Sequence, residues 1–178
     1  HAHRDLGIMF TAGKGRNHTM KEDRMRKSKI RNHRVIRVTK FTRAARKLFS
    51  TGTFPQATWG HQCFGFAPKD FLQLRRMAAN TTGITQSQRC LNSVMMFCFG
   101  RRADPMLKCI KEIVTLWFDL ADDMIRDGYD AELRAAWSAT MDKVRAGPKI
   151  MWNRMSGLMS NVIALLYHIG WSPNHYHR

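Results

Sequence analysis

STGTFPQATWGHQCFGFAPKDFLQLRRMA, residues 50–78, is the segment that organises the rest of the chain. A long basic helix is expected to stop at Thr51-Gly52, and Pro55 follows where a fixed φ suits the first turn of a new helix. Residues 56–63 then carry Trp59-Gly60, a large aromatic beside a residue with no side chain. The glycine predicts close passage of another backbone, with the indole filling the space beside it. Gly65 and Pro68 end that helix and start the next, along which Phe71, Leu72, Leu74 and Met77 lie mostly on one face. Two short helices joined by a Gly-Pro elbow predict a packing hub, scaffold rather than site.

Upstream of the hub, residues 21–49 read as a long basic helix, frayed before Ile30. Val35, Val38, Phe41, Ala45, Leu48 and Phe49 share one face of it. Lys40, Arg43 and Lys47 project from the opposite face, with Arg37 and Arg46 on the flanks. Arg34 falls near the apolar stripe, which predicts ordered packing only after it. Before the helix, DLGIMF at 5–10 is the one credible strand, and a single strand needs a partner that the rest of the chain does not supply. Gly13-Lys14-Gly15 misses the spacing of a phosphate loop, and no serine or threonine follows the lysine.

Downstream, Asn80-Thr81-Thr82-Gly83 is a stop. Thr85 with Gln88 three residues on predicts a capping-box start for a helix over 86–99. That helix is apolar nearly all round through Cys90, Leu91, Val94, Met95, Phe97 and Cys98, so a central position is expected, with Gly100 closing it. Asp104 before Pro105 opens another helix, with Met106, Ile110, Ile113, Trp117, Leu120 and Met124 at helical spacing. Gly128 ends it, and Asp130 caps the next, which runs to about Arg145. Gly147-Pro148 turns the chain into a last helix over 149–168, and the tail after Trp171-Ser172-Pro173 reads as loose. The expectation is an all-α fold, an irregular bundle of six or seven helices with a short N-terminal strand and a basic N-terminal helix. Its parts are a strand and loop at 1–20, the basic helix at 21–50 and the bundle at 51–178.

At 178 residues, 44% hydrophobic and 10% aromatic, the chain can bury one sizeable core, and disorder over most of it is excluded. Charge is the strongest signal. Thirty Lys+Arg against thirteen Asp+Glu give +17 and pI ≈ 10.6, which predicts attraction to a polyanion. Residues 1–50 hold fifteen of those cations and three of the acids (+12), leaving fifteen and ten (+5) for residues 51–178. Each lysine or arginine laid on a phosphate releases counterions, giving affinity that is salt-sensitive and poor in sequence information. With few acids nearby to pair, polyanion binding is preferred to a face made basic for solubility.

Cys63, Cys90, Cys98 and Cys109 form no C-x-x-C pair and stand in apolar helical surroundings. They read as buried thiols of a reducing compartment, so an intracellular location, nuclear or cytoplasmic, is expected. The longest apolar run, 162–167, is far too short to span a bilayer, and no membrane partner is expected. The chain opens on His-Ala-His rather than Met, which leads us to expect a piece of a longer product.

Leu120-Ala121-Asp122-Asp123 resembles the paired carboxylates with which polymerase palms hold two metal ions. That chemistry needs the aspartates on a β-hairpin turn beside a third carboxylate. Here they fall late on an amphipathic helix, with Asp122 placed to pair with Arg126 one turn on. His61-x-Cys63 has no second pair at zinc spacing and reads as a partly exposed histidine beside a buried thiol. His168, His175 and His177 belong to a tail too flexible to preorganise a metal site. The twelve methionines read as core filling. No catalytic set, metal site or cofactor is expected from these residues.

Beside these readings, the chain resembles the region that follows the palm in reverse-transcriptase polyproteins of non-LTR retroelements, of a kind abundant in some protist genomes. The resembling pieces begin with Arg4-Asp5-Leu6-Gly7-Ile8 and Phe10, then Thr51-Gly52, Pro55-Gln56 and Thr58-Trp59-Gly60. Gly65-Phe66-Ala67-Pro68, Thr82-Gly83-Ile84, Arg89-Cys90-Leu91, Ala103-Asp104-Pro105 and Gly170-Trp171 follow in order and span most of the chain. The resemblance implies that the leucine-glycine strand closes an upstream palm and that the helices form a thumb-like extension gripping template and primer. It also implies that the catalytic aspartates lie before residue 1, so that Asp122 and Asp123 inherit no role. Met9 stands where the resemblance implies an acid or polar residue, the mark of a drifted copy.

The functional expectation is a non-catalytic nucleic-acid-binding segment of a retroelement reverse transcriptase, a fragment of an RNA-directed DNA polymerase polyprotein. Arg37, Lys40, Arg43, Arg46 and Lys47 are the expected phosphate contacts, with Arg75 and Arg76 of the hub as seconds. The partners are RNA or an RNA–DNA duplex and the upstream palm of the same polyprotein. The alternative is a basic interaction module that docks an acidic protein or structural RNA within a larger assembly. A self-contained enzyme lacks a visible acid–base set.

Overall fold

Glycine and proline mark several of the helix boundaries. The structure, a computed structural model, describes residues 2–5, 8–11, 19–85, 87–146, 149–174 and 176. Among these lie α1 (Thr19–Thr39), α2 (Phe54–Thr58), α3 (His61–Phe64), α4 (Pro68–Asn80), α5 (Leu91–Val94), α6 (Pro105–Arg126), α7 (Asp130–Val144) and α8 (Gly157–His168). The fold is all-α. Pro68 and Pro105 start α4 and α6 at the position where a missing N–H costs nothing, and the Asp104 carboxylate accepts from Met106 N–H at 2.9 Å. Gly128, with φ +88°, separates α6 from α7.

Several boundaries differ from those expected. The single strand expected at 5–10 is divided between two: Asp5 ends β1 (Ala2–Asp5), which pairs antiparallel with β2 (Ile8–Thr11), Arg4 opposite Met9, and Leu6-Gly7 lies outside the described residues. The two strands are thus local partners of each other. Gly13-Lys14-Gly15 lies outside the described residues. The basic helix ends at Thr39 rather than Phe49, and it is regular from Thr19, well before Ile30. The helix expected over 86–99 begins only at Leu91 with Cys90 as its N-cap, and Gln88 has φ 57°, a left-handed conformation that no capping box contains. Its continuation, a π turn over Met95–Phe99, leaves Phe97 86% exposed, so this element is not central. The last helix starts at Gly157 rather than 149; β3 (Arg145–Ala146), β4 (Lys149–Ile150) and a 3₁₀ turn at Trp152–Arg154 precede it. Gly147-Pro148 lies outside the described residues.

The chain divides into two compact units, one of His1–Gly60 with Ala67–Cys109, the other of His61–Phe66 with Ile110–Arg178. The expected hub is therefore shared out, residues 61–66 going with the second unit. It is also broken at Trp59-Gly60: Gly60 takes φ 76°, and the indole, expected to fill a gap, is 61% exposed. In the first unit the core gathers Phe49, Phe54, Ala57, Phe71, Leu74, Met77 and Met95, with the Phe49 ring 6.4 Å from Phe54 and 6.2 Å from Phe99. Lys108 places its ammonium 4.7 Å over the Phe54 ring.

In the second unit Trp117 and Trp137 pack at 5.1 Å between ring centres, and Ile113, Leu133 and Val162 are buried with them. Both indole N–H groups donate to the C-terminal segment at 2.9 Å, Trp117 to Tyr176 O and Trp137 to Pro173 O. Tyr176 is buried, and its hydroxyl donates to the Asp130 carboxylate. The tail is thus tied down at Pro173 and Tyr176 rather than loose; His175 and His177 lie outside the described residues.

Candidate nucleic-acid interface

The inner face of α1 is set by Met25, Ser28, Asn32 and Val35, all buried and spaced one helical turn apart. Half of that stripe is polar, and it is anchored by hydrogen bonds rather than by a broad apolar face. Asn32 Nδ2 donates to Met77 O at 3.0 Å, on α4. Lys21 meets Asp70 at 2.9 Å, and the same carboxylate oxygen accepts from Ala67 N–H at the start of α4. Arg31 Nη1 donates to Gly52 O at 3.1 Å. Packing therefore begins before Arg34, not after it. With the inner face so anchored, the outer face of α1 is left to Ile30, Arg34, Arg37 and Val38, all exposed.

At its end α1 turns rather than continues. Phe41 and Thr42 N–H both donate to Val38 O, and the Thr42 hydroxyl accepts from Ala44 N–H, opening a 3₁₀ turn over Arg43–Arg46. Three residues per turn place Arg43 and Arg46 on the same side. Ala45 and Phe49 turn inward, as expected, but Val38, Phe41 and Leu48 do not: the predicted apolar stripe is broken, and Phe41 is 90% exposed. The five cations expected to hold phosphates are all exposed. They lie on one continuous stretch, Arg37 on α1, Lys40 in the turn, Arg43, Arg46 and Lys47 beyond it, but not on one helix face. Among the described residues none of the five has a carboxylate within ion-pair distance. The sequence shows why: from Arg24 to Lys69 there is no aspartate or glutamate. This acid-free run is the signal that would have found Lys29, Arg34 and Lys69 as further exposed cations.

Arg75 does not belong with them. Its guanidinium lies 3.1 Å from Asp104 Oδ2 and donates to Asn92 Oδ1 at 2.9 Å, with the Arg75 and Asp104 side chains only 17% and 8% exposed. Unlike the cations of 37–47, it is engaged within the fold. Arg76 beside it is exposed and has no carboxylate partner among the described residues. Between α1 and α4, a cleft of about 330 Å³ is lined by Lys21, Arg26, Lys29, Lys69, Asp70 and Gln73. Lys21 and Arg26 there are paired with Asp70 and Asp23, whereas Lys29 and Lys69 have no such partner among the described residues.

Other sequence readings are reversed in detail. His61 is buried and Cys63 exposed, the opposite of the expectation; the imidazole stacks on Phe66 and its Nε2 lies 3.5 Å from Glu112. Arg126 pairs with Asp123 at 3.1 Å, not with Asp122, and both aspartates are exposed on α6. Among the described residues no group of three or more His, Cys, Asp or Glu is placed to hold a metal ion, and no helix is long and apolar enough to cross a membrane.

Of the four cysteines only Cys109 is buried; Cys63 and Cys90 are exposed and Cys98 is half-buried. The Ser93 hydroxyl, then the Ser93 and Asn92 backbone N–H groups at the start of α5, hold the Cys90 thiol below its ordinary pKa. A lowered pKa raises the thiolate fraction at neutral pH, and the thiolate is the nucleophile. Iodoacetamide at neutral pH is therefore expected to label Cys90 first and Cys109 only on unfolding, as read by peptide mass. Equal labelling of the two in the folded protein would contradict this placement.

No protein-family model, curated protein or solved structure matches this chain.

Proposed function

We propose that this chain is a non-catalytic nucleic-acid-binding helical segment of a retroelement reverse transcriptase, gripping RNA or an RNA–DNA duplex through its phosphates. The observation that carries the binding half is the stretch from Arg37 to Lys47, whose exposed cations stand in a run of sequence without a single acid. Several surface cations that have an acid within one helical turn along the sequence are paired instead: Arg26 and Lys27 with Asp23, Arg126 with Asp123, Arg134 with Asp130. Cations kept merely for solubility need no such segregation, whereas a phosphate backbone takes them unpaired. The retroelement half rests on the resemblance in the sequence, and it assigns an upstream palm as the intramolecular partner.

Fluorescence anisotropy with labelled RNA and RNA–DNA duplexes over a salt series tests the binding half. Affinity is expected to fall steeply with salt. Changing Arg37, Lys40, Arg43, Arg46 and Lys47 to glutamine is expected to flatten the slope of log K against log salt by about 4, near 0.9 per phosphate. All five are exposed, so circular dichroism of the variant should be unchanged. An unaltered slope would sink the assignment. For the retroelement half, a palm with paired aspartates on a hairpin is expected in the coding sequence just upstream; a different kind of domain there overturns that half alone.

The exposed Ile30, Val38 and Leu48 among these cations support a second reading, a module docking an acidic protein or structural RNA within a larger assembly. Capture of an isolated palm domain by this chain separates the two, because only the first reading expects it.

A further inference from the structure

Phe41 is the most exposed large apolar side chain among the described residues, at 90%. Its backbone is not a frayed end: its own N–H and that of Thr42 converge on Val38 O, and the Thr42 hydroxyl then starts the next turn. The ring is held out by a hydrogen-bonded corner. Cations flank it along the chain, Arg37 one turn before, Lys40 adjacent, and Arg43 and Arg46 on one side of the 3₁₀ turn that follows.

We infer that this corner takes an unpaired nucleic-acid strand, with Phe41 as the platform on which one base stacks. The inference rests on the nucleic-acid reading above and narrows it. A duplex keeps its bases stacked inside and presents only backbone, leaving an exposed ring without a counterpart; an unpaired strand offers a base face beside each phosphate. The ring takes the base, and the cations before and after it take the phosphates on either side. An acidic protein with an apolar socket offers the same two chemistries. The acid-free spacing of cations over 37–47 suits a backbone charged at every unit better than a folded surface, which carries both signs.

The test compares oligouridylate with a blunt RNA–DNA duplex of equal phosphate number, by anisotropy on the whole chain. Phe41→Ala is expected to weaken single-strand binding by about five- to a hundredfold. Duplex binding should stay within about twofold and the single-strand salt slope should be unchanged, since no phosphate contact is lost. Phe41→Trp should retain affinity, while Phe41→Leu, apolar but without a π face, should lose it like alanine. Folding is not at issue, because the ring touches little of the core. If Phe41→Ala affects strand and duplex alike, or not at all, the inference falls while the phosphate reading stands. If the wild type binds neither but takes polyglutamate in a Phe41-dependent way, both fall and the occupant is an acidic protein.

Discussion

Gly65→Ala is expected to destabilise the second unit by about 4 kcal/mol, the sum of left-handed strain and a forced break in a buried contact. Gly65 sits at φ +66°, where a side chain costs about 1–2 kcal/mol. A β-carbon there would also stand 2.5 Å from Asn161 Oδ1 and 2.9 Å from Asn161 Cγ. Asn161 is fully buried on α8, and its Nδ2 donates to His61 O at 3.2 Å and Gln62 O at 3.3 Å. Swinging it aside breaks the contacts that fasten α3 to α8 and buries polar groups unpaired, about 1–3 kcal/mol more. Chemical denaturation measures the total. In an Asn161→Ala background the obstacle is gone, and Gly65→Ala should cost only its strain, about 1–2 kcal/mol. Equal costs in the two backgrounds would show that the close approach is not a contact at all.

That glycine was legible as the end of an element, but its neighbour was not, because Asn161 lies far along the chain and no spacing rule connects them. The same division runs through the fold. Helices α4, α6 and α7 could be read because their boundaries are written in residues with backbone consequences, Pro68, Asp104-Pro105 and Gly128. The end of α1 could not, since no glycine or proline marks it. A tight 3₁₀ turn followed by the wide π turn over Phe49–Thr53 returns Ala45 and Phe49 to the inside, much as a continuous α-helix would. The apolar period is therefore nearly the same for the straight helix and the broken one, and it is the exposed Val38, Phe41 and Leu48 that betray the difference. The buried stripe of α1 escaped for another reason: Ser28 and Asn32 are polar, so a hydrophobic pattern does not see them. The exposure of the cations of 37–47 was legible as composition, whereas the pairing of Arg75 was not, because its partner Asp104 is remote in sequence and near in space.

That pair sets the other large effect. Asp104→Ala is expected to cost about 3–5 kcal/mol, because it strands a mostly buried guanidinium and uncaps α6 together. One carboxylate oxygen faces Arg75 at 3.1 Å while the other accepts from Met106 N–H at 2.9 Å. The two losses can be parted. Asparagine keeps the cap, and methionine in place of Arg75 removes the stranded charge while filling its volume. Arg75→Met/Asp104→Asn should therefore unfold at a higher denaturant concentration than Asp104→Ala, although it changes one residue more. Arg75→Ala, by the same geometry, should lower stability and leave RNA affinity unchanged at denaturant-free equilibrium. Arg76→Ala, on the exposed residue next to it, should leave stability unchanged and lower RNA affinity. A loss of affinity without a loss of stability at Arg75 would return it to the interface and remove its structural role. Tolerance of Asp104→Ala within about 1 kcal/mol, no more than a lost cap, would mean the ion pair holds nothing together.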